Sequence, residues 1–345
     1  MTDRRRRRAY PARALGAVLV GNNSPPLIVT ILLLLTLATI LLPSVARAEG
    51  PSKTIVVLAQ GRSGSSFLSS WFGSHPKVTY FLEPCSLVYL KEVNRDKTGT
   101  SCAAVMKQLL SCDFSSVDPK RNQKPYIPDQ AVGFKGWGHQ SDNDVTACKA
   151  NEATAVKELR VGMAWAEKNI DFPKVVLLLR DPRAVLNSRV KGWPEPSVGQ
   201  GDYSANPLGW DGRRGFPYKQ SLKSLCLEHL KLRERAAKEP ADRLLTVEYT
   251  DVLRDSKGLL KRVMDFAGLE IVPEVAAHVE KSTNGSCEFP DAPFSLCRSK
   301  VPLKDDKWKK ELPEAKLKEL LAVPECQKLI SDYYPDDEPS QNDEL

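Results

Sequence analysis

A strand, a glycine-containing turn and a helix follow one another near the start of the chain, and this arrangement constrains the fold more than any other feature. The apolar and β-branched run Thr54 to Ala59 is typical of a buried strand. It ends in the turn GRSGSS, after which apolar residues recur at helical spacing: Phe67, Leu68, Trp71 and Phe72. Such a turn leaves the first N–H groups of the helix without partners, beside the positive end of the helix dipole. The segment therefore predicts a phosphate site.

A second strand-to-helix junction lies at Lys174 to Arg189. Val175 to Leu179 has the composition of a buried strand, and Pro182 suits the first turn of a helix. Arg180 and Ser188 are therefore expected near the same strand end. Nucleotide triphosphatases carry GxxxxGK[ST] at the first junction, but this chain has Ser65 where a lysine is needed, which argues against a kinase-like phosphotransferase.

The two segments, TIVVLAQGRSGSSF and KVVLLLRDPRAVLNSR, together resemble those of sulfotransferases, most of all the Golgi carbohydrate sulfotransferases that act on sugar 6-hydroxyls. The resemblance extends over roughly Lys53 to Pro335. It implies 3′-phosphoadenosine 5′-phosphosulfate (PAPS) as the sulfate donor, no metal, and a glycan or glycosaminoglycan as the acceptor. The first segment would hold the 5′-phosphosulfate and the second the 3′-phosphate. The implied donor-binding residues are Gly61, Arg62, Ser63, Gly64, Ser65, Ser66, Phe67, Arg180 and Ser188.

The acceptor hydroxyl must lose a proton, so a general base is expected near the donor. Glu83 is the leading candidate, because it follows the predicted strand Val78 to Leu82, and related sulfotransferases use a glutamate after the corresponding strand. His139 is the competing base, since cytosolic relatives use histidine. Arg62 is expected to stabilise the leaving phosphate. Lys135 is a candidate contact for the sulfate or the acceptor.

Strands alternate with helical patterns along the chain, which predicts an α/β fold: a single, mostly parallel sheet with helices on both faces and the nucleotide-binding loop after the first strand. The apolar spacing over Val156 to Ile170 indicates one of the helices. The predicted strands are Ile55 to Ala59, Val78 to Leu82, Ala131 to Phe134, Val175 to Leu179 and Leu244 to Val247. Ligands bind at the carboxyl ends of such strands.

The formal charge of +7 does not indicate a nucleic-acid-binding protein. Residues 1–48 hold seven arginines and one aspartate, so nearly all of the excess lies there rather than on a folded face. This basic segment precedes an apolar run of 16 residues, Leu27 to Leu42, and that order directs the following chain into the secretory pathway. The run is interpreted as a membrane anchor of a type II Golgi protein or as a cleaved signal peptide.

Four regions are therefore expected: a cytosolic basic tail at 1–26, a signal anchor or signal peptide at 27–48, the sulfotransferase domain at 49–335 and an acidic, disordered tail at 336–345. The last four residues, Asn342 to Leu345, approach the KDEL-type signal that returns soluble proteins to the endoplasmic reticulum. With a cleaved signal, the protein would be retained in that lumen or secreted.

Eight cysteines follow the apolar run, an even number that suggests disulfide bonds in an oxidising compartment. None forms a CxxC pair, so a zinc site is not expected. Asn284 begins a glycosylation sequon, which fits the same compartment. The plausible pairings are Cys102 with Cys112, Cys287 with Cys297, and Cys226 with Cys326.

Two alternative functions are weighed against the carbohydrate sulfotransferase. One is a protein-tyrosine sulfotransferase, because that branch shares a glycine-serine loop and a glutamate base. The other is a non-catalytic lumenal protein that binds a nucleotide or a glycan. The Gly- and Pro-rich segment Gly192 to Tyr218 is either a lid over the acceptor or a surface insertion.

Overall fold

The computed structural model describes residues 51–84, 100–113, 145–159, 161–192, 221–284, 296 and 305–335. Their secondary structure consists of five strands and twelve helices. The strands are β1 (Lys53–Ala59), β2 (Val78–Leu82), β3 (Ala153–Glu158), β4 (Val175–Leu179) and β5 (Leu244–Glu248). The helices are α1 (Ser65–Gly73), α2 (Thr100–Leu110), α3 (Val145–Ala150), α4 (Gly162–Lys168), α5 (Pro182–Gly192), α6 (Leu222–Ala236), α7 (Tyr249–Arg254), α8 (Ser256–Ala267), α9 (Pro273–Thr283), α10 (Trp308–Glu311), α11 (Glu314–Leu321) and α12 (Pro324–Tyr333).

The five strands form one parallel sheet in the order β2-β3-β1-β4-β5. Alternate residues of β1 face opposite layers: Ile55 and Val57 pack with α1, α8 and α9, whereas Val56 and Leu58 pack with α2 and α4. A third apolar cluster lies among α5, α6 and the C-terminal helices. The prediction of a parallel sheet covered on both faces is confirmed.

Four of the predicted strands are confirmed, but the interpretation of Val156 to Ile170 as one helix is wrong. Its first part belongs to β3, which lies between β1 and β2 and is buried along its whole length. A strand covered on both faces has no polar alternation to mark it. The apolar residues of β3 and those of α4 together follow a helical spacing, although the two elements are separate. The predicted strand Ala131 to Phe134 lies outside the described residues.

The disulfide pattern agrees with the sequence predictions only in part. Cys226 and Cys326 are bonded, as predicted, and they join α6 to α12. The pairing of Cys102 with Cys112 is wrong, because Cys112 is bonded to Cys148 and thereby joins the end of α2 to α3. Cys287 and Cys297 lie outside the described residues.

The predicted membrane segment, Leu27 to Leu42, also lies outside the described residues. Within the described part of the chain, no helix is both long enough and apolar enough to cross a membrane. The expected division of the chain into four regions stays a prediction.

Candidate functional site

The loop between β1 and α1 (residues 60–64, the donor loop) turns the chain sharply into the helix. The N–H of Ser63 donates to the carbonyl of Gln60 at 3.2 Å, and the N–H of Phe67 donates to that of Gly64 at 3.0 Å. Gly64 is the N-cap and has φ of 90°, a left-handed conformation that favours glycine. Among the described residues, no side chain therefore caps the start of the helix or accepts from its first N–H groups.

Tyr249, the first residue of α7, makes the second glycine of the loop necessary for another reason. A Cβ atom on Gly64 would stand 2.3 Å from Cε2 of the Tyr249 ring. The ring is almost fully buried, so moving it aside would disrupt the packing around it. The close approach of this ring to the loop is thus possible only because residue 64 has no side chain.

Arg62 connects the donor loop to the second predicted segment. Its Nε donates to Oγ of Ser188 at 3.1 Å, and its carbonyl accepts from Nη1 of Arg180 at 2.8 Å. Its φ of 74° is left-handed, which is uncommon for a residue with a side chain. The structure thus brings together the two segments that the sequence placed at one site.

Arg180 lies at the carboxyl end of β4 and has two partners besides the carbonyl of Arg62. Its guanidinium lies 4.2 Å from the centre of the Tyr249 ring, and its Nε and Nη2 each donate to a carboxylate oxygen of Asp305 at 2.7 Å. Burial opposes the charge, but the carboxylate of Asp305 outweighs it and raises the pKa of Arg180. The contact with Asp305 was not foreseen from the sequence.

Two other charged residues of α5 have structural partners. Arg183 forms an ion pair with Asp181 at 2.8 Å, and burial raises the pKa of that carboxyl group despite the arginine. Arg189 is buried and donates from Nη2 to the carbonyl of Gly61 at 3.2 Å, and this hydrogen bond stabilises the donor loop.

Glu83 stands one residue beyond β2 and pairs with Lys157 of the neighbouring strand β3. The two side chains form an ion pair, and the N–H of Glu83 donates to the carbonyl of Lys157 at 2.7 Å. The Nζ of Lys157 also lies 3.5 Å from Oγ of Ser66, at the start of α1. The lysine side chain is only 1% exposed, so a positive charge is buried between the donor loop and the candidate base.

Lys157 is a site residue that the sequence analysis missed. The only available signal was a lysine at the end of a short apolar run, and that run had been assigned to a helix. Lys135 and His139, which the sequence offered instead, lie outside the described residues, and so does the Gly- and Pro-rich segment after Gly192. In the described ranges no group of histidine, cysteine and carboxylate side chains is arranged to hold a metal ion.

Comparison with known families decides what kind of site this is. The profile described as "Sulfotransferase domain" matches residues 52–284, which include the donor loop, Glu83, Lys157, Arg180 and Ser188. The chain belongs to the sulfotransferase family. Its parallel sheet with helices on both faces is the fold of a sulfotransferase enzyme.

Individual relatives of this sulfotransferase include carbohydrate-modifying enzymes. Carbohydrate sulfotransferase 5 from Homo sapiens is 27% identical over 312 residues, which cover 75% of this chain and 73% of the relative. Carbohydrate sulfotransferase 6 from Homo sapiens is 24% identical over 339 residues, covering 83% and 84%. Among solved structures, the sulfotransferase domain of the Synechococcus PCC 7002 olefin synthase has 16% identity and a TM-score of 0.46, covering 84% of this chain and 97% of that domain.

Proposed function

We propose that this sulfotransferase transfers a sulfuryl group from PAPS to a hydroxyl of a carbohydrate in the secretory pathway. The observation that carries the proposal is the position of Arg62, which contacts both Ser188 and Arg180 while it belongs to the donor loop. The two segments that we assign to the 5′-phosphosulfate and the 3′-phosphate are thereby in direct contact, which supports a ligand with a phosphate at each end of its ribose. The names of the relatives support a carbohydrate acceptor.

The residues of the donor loop fit such a ligand. The hydroxyl of Ser63 is buried and has no hydrogen-bond partner within the described part of the chain. Buried polar atoms in native proteins are rarely left unsatisfied, so an orphaned hydroxyl in a phosphate-type loop indicates a ligand oxygen as its partner. The left-handed backbone of Gly64 provides the tight turn that such a loop needs at the start of α1.

Each side chain of the site is assigned one part of the transfer reaction. PAPS, when bound, supplies a sulfur–oxygen bond whose cleavage leaves a phosphate oxygen with additional negative charge. Arg62 and the N-terminus of α1 stabilise that charge. Glu83 takes the proton of the acceptor hydroxyl as its oxygen attacks the sulfur. Lys157 orients the Glu83 carboxylate and places an ammonium group beside Ser66, near the transferred group.

A transfer assay tests the proposal directly. Purified protein is incubated with labelled PAPS and two panels of acceptors, one of glycans and one of tyrosine peptides. We expect label on a glycan, with the 6-hydroxyl of a hexosamine or galactose as the preferred position. Label on tyrosine peptides alone would favour the protein-tyrosine branch. Binding of PAP by calorimetry without transfer to any acceptor would favour a non-catalytic binding protein, and tighter binding of ATP than of PAP would favour a phosphotransferase.

The disulfides Cys112–Cys148 and Cys226–Cys326 support an oxidising compartment for the domain. We accordingly propose a lumenal catalytic domain on a single-pass type II anchor, Leu27 to Leu42, in the Golgi membrane. The alternative is a cleaved signal peptide, with residence in the endoplasmic reticulum or secretion.

Removal of residues 342–345 separates these locations. We expect the shortened chain to stay in the Golgi and to keep the segment 27–42, as N-terminal sequencing would reveal. Secretion of the shortened chain, or its movement onward from the endoplasmic reticulum, would instead identify the C-terminal residues as a retrieval signal.

A further inference from the structure

The carboxylate of Asp305 lies where an anionic ligand of Arg180 would be expected. Both of its oxygens accept from the guanidinium, each at 2.7 Å, from Nε and Nη2. The two side chains are 13% and 8% exposed, so the pair is well shielded from water. Bidentate pairing of this kind is how arginine binds carboxylates and phosphates alike.

Asp305 is brought to Arg180 by an element that is attached to α5, the helix that carries Ser188. The short helix α10 follows Asp305, and its Glu311 accepts from Asn187 at 2.7 Å and pairs with Lys191 at 2.6 Å, both on α5. Trp308 at the start of α10 packs under the guanidinium of Arg183, 4.2 Å away. The backbone next to Asp305 is therefore anchored to α5, and its carboxylate does not reach Arg180 by chance from a distant surface.

A buried guanidinium is stabilised by an anionic partner. Only one anion can form bidentate hydrogen bonds with the same pair of its nitrogens. Removing the partner of a shielded charge is costly, so Arg180 is paired whenever it is buried. Two negative groups at hydrogen-bond distance from the same two nitrogens would repel each other strongly. A phosphate on that edge of Arg180 thus requires the Asp305 carboxylate to withdraw.

We propose that Asp305 competes with the 3′-phosphate of the nucleotide for Arg180, which weakens the binding of the nucleotide and favours its release. The inference rests on the proposed function, because it assigns the 3′-phosphate to Arg180. Its consequence concerns the product as much as the donor. PAP keeps the 3′-phosphate after transfer. When PAP leaves, the Asp305 carboxylate returns to Arg180, so the guanidinium is not left buried and unpaired.

The competition affects only ligands that carry a 3′-phosphate. A nucleotide such as 5′-AMP has no group to place on Arg180, so its binding leaves the pair with Asp305 intact. Asp305 therefore also reduces the advantage of PAP over 5′-AMP. This difference separates true competition from a general repulsion between a nearby carboxylate and any anion.

Isothermal titration calorimetry with PAP and with 5′-AMP tests the proposal on three proteins: wild type, Asp305→Asn and Asp306→Asn. The amide of the first variant keeps the size of the side chain and removes its charge. Asp306 is the matched control, since it is the neighbouring residue, carries the same charge and is exposed. We expect Asp305→Asn to bind PAP about tenfold more tightly, because a hydrogen-bonded ionic competitor is removed, and to bind 5′-AMP as the wild type does. Asp306→Asn should resemble the wild type with both ligands.

Three results would overturn the proposal. Weaker PAP binding by Asp305→Asn would mean that the carboxylate positions Arg180 for the phosphate. Unchanged PAP binding would mean that the two anions do not compete. Equal tightening in both variants would reflect net charge alone. If the wild type itself bound no PAP, the proposed function would fall, and that outcome is visible before any variant is compared. Should Asp305→Asn not fold, Asp305→Ser repeats the measurement with a smaller polar side chain.

Discussion

Lys157 and Glu83 form an ion pair at the carboxyl ends of two adjacent strands, with Oγ of Ser66 3.5 Å from the same ammonium group. The pairing follows from the register, because Leu82 lies opposite Lys157 and Glu83 is the next residue. Glu83 has φ of 47°, a left-handed conformation that is strained for a residue with a side chain and that is often found at functional sites. A candidate base and a cation are thereby fixed beside the donor loop.

We expect Glu83→Gln to reduce turnover about 100-fold or more while PAP affinity stays near normal, because the amide keeps the shape of the carboxylate but accepts no proton. Transfer assays and calorimetry measure the two quantities. Glu152→Gln is the matched control, since Glu152 pairs with Lys53 at the amino ends of β3 and β1, away from the donor loop. Near-normal turnover in Glu83→Gln would shift attention to His139.

Lys157→Met should also reduce turnover by about 100-fold, the usual effect of removing one group that stabilises developing charge. The methionine fills a similar buried volume, and the remaining Glu83 carboxylate has some access to water, so folding should be little affected. Lys53→Met serves as the control for loss of a strand lysine from an ion pair. Full activity in Lys157→Met, with an unchanged melting curve, would remove Lys157 from the site.

Ser188→Ala and Arg180→Ala are both expected to weaken PAP binding, but they should differ in stability. Loss of the Ser188 hydroxyl removes one hydrogen bond from Arg62 and costs about 1 kcal/mol. Loss of Arg180 leaves the Asp305 carboxylate shielded and unpaired, which costs about 3–5 kcal/mol. Urea denaturation gives the stabilities and calorimetry the affinities. Normal PAP affinity in a folded Ser188→Ala protein would exclude that residue from the site.

Gly64→Ala is expected to abolish tight PAP binding and to destabilise the fold. The left-handed backbone costs an alanine about 1 kcal/mol, and its Cβ would collide with the Tyr249 ring, which adds about 1–3 kcal/mol. Gly268→Ala is a matched control, because Gly268 has φ of 73° but its nearest neighbour atom would be 3.6 Å away. Equal unfolding free energies in the two variants would show that the ring does not crowd the loop.

The stability of the fold should decrease as the pH falls below about 6.5, because of buried His229. Burial, assisted by the charge of Arg233, lowers the pKa of His229 well below its ordinary value of 6.5. The unfolded chain then binds a proton that the folded chain rejects, so the loss approaches 1.4 kcal/mol per pH unit at most, between 6.5 and the folded pKa. It is absent above pH 6.5.

His229→Gln isolates this contribution, since the amide oxygen can still accept from Nε of Arg233. We expect its unfolding free energy to vary less between pH 7.5 and 5.5 than that of the wild type, as chemical denaturation would reveal. His278→Gln is the comparison: the pKa of His278 is also lowered by burial, but less strongly, so its variant should be intermediate. Parallel curves for the wild type and His229→Gln would contradict the assignment.

The parts of the site that could be predicted from the sequence are those written in contiguous residues. The donor loop and the Arg180 to Ser188 segment each combine a buried strand with a helix start, and both lie where they were expected. Glu83 was found in the same way, from its place after a strand. Their catalytic and binding roles stay predictions until they are tested.

Contacts between distant residues could not be predicted in this way. Asp305 reaches Arg180 across 125 residues, and nothing in its local sequence distinguishes it from Asp306. Lys157 was missed because a strand buried on both faces lacks alternation, and a lysine inside it reads as the polar face of a helix. The disulfide between Cys112 and Cys148 depends on where α3 packs, which is likewise a property of the folded chain.

Tyr249 packs against both of the strand-to-helix junctions that are proposed to bind phosphate. One side of its ring closes on Gly64, and Arg180 lies across its face at 4.2 Å. The same guanidinium donates to the carbonyl of Arg62 at 2.8 Å, so ring packing and a hydrogen bond together hold Arg180 at the donor loop. The relative position of the two junctions is thus held by the Tyr249 ring together with that hydrogen bond. A smaller side chain at position 249 would remove this packing and let the two proposed phosphate sites shift relative to each other, although every hydrogen-bond donor of those sites would still be present.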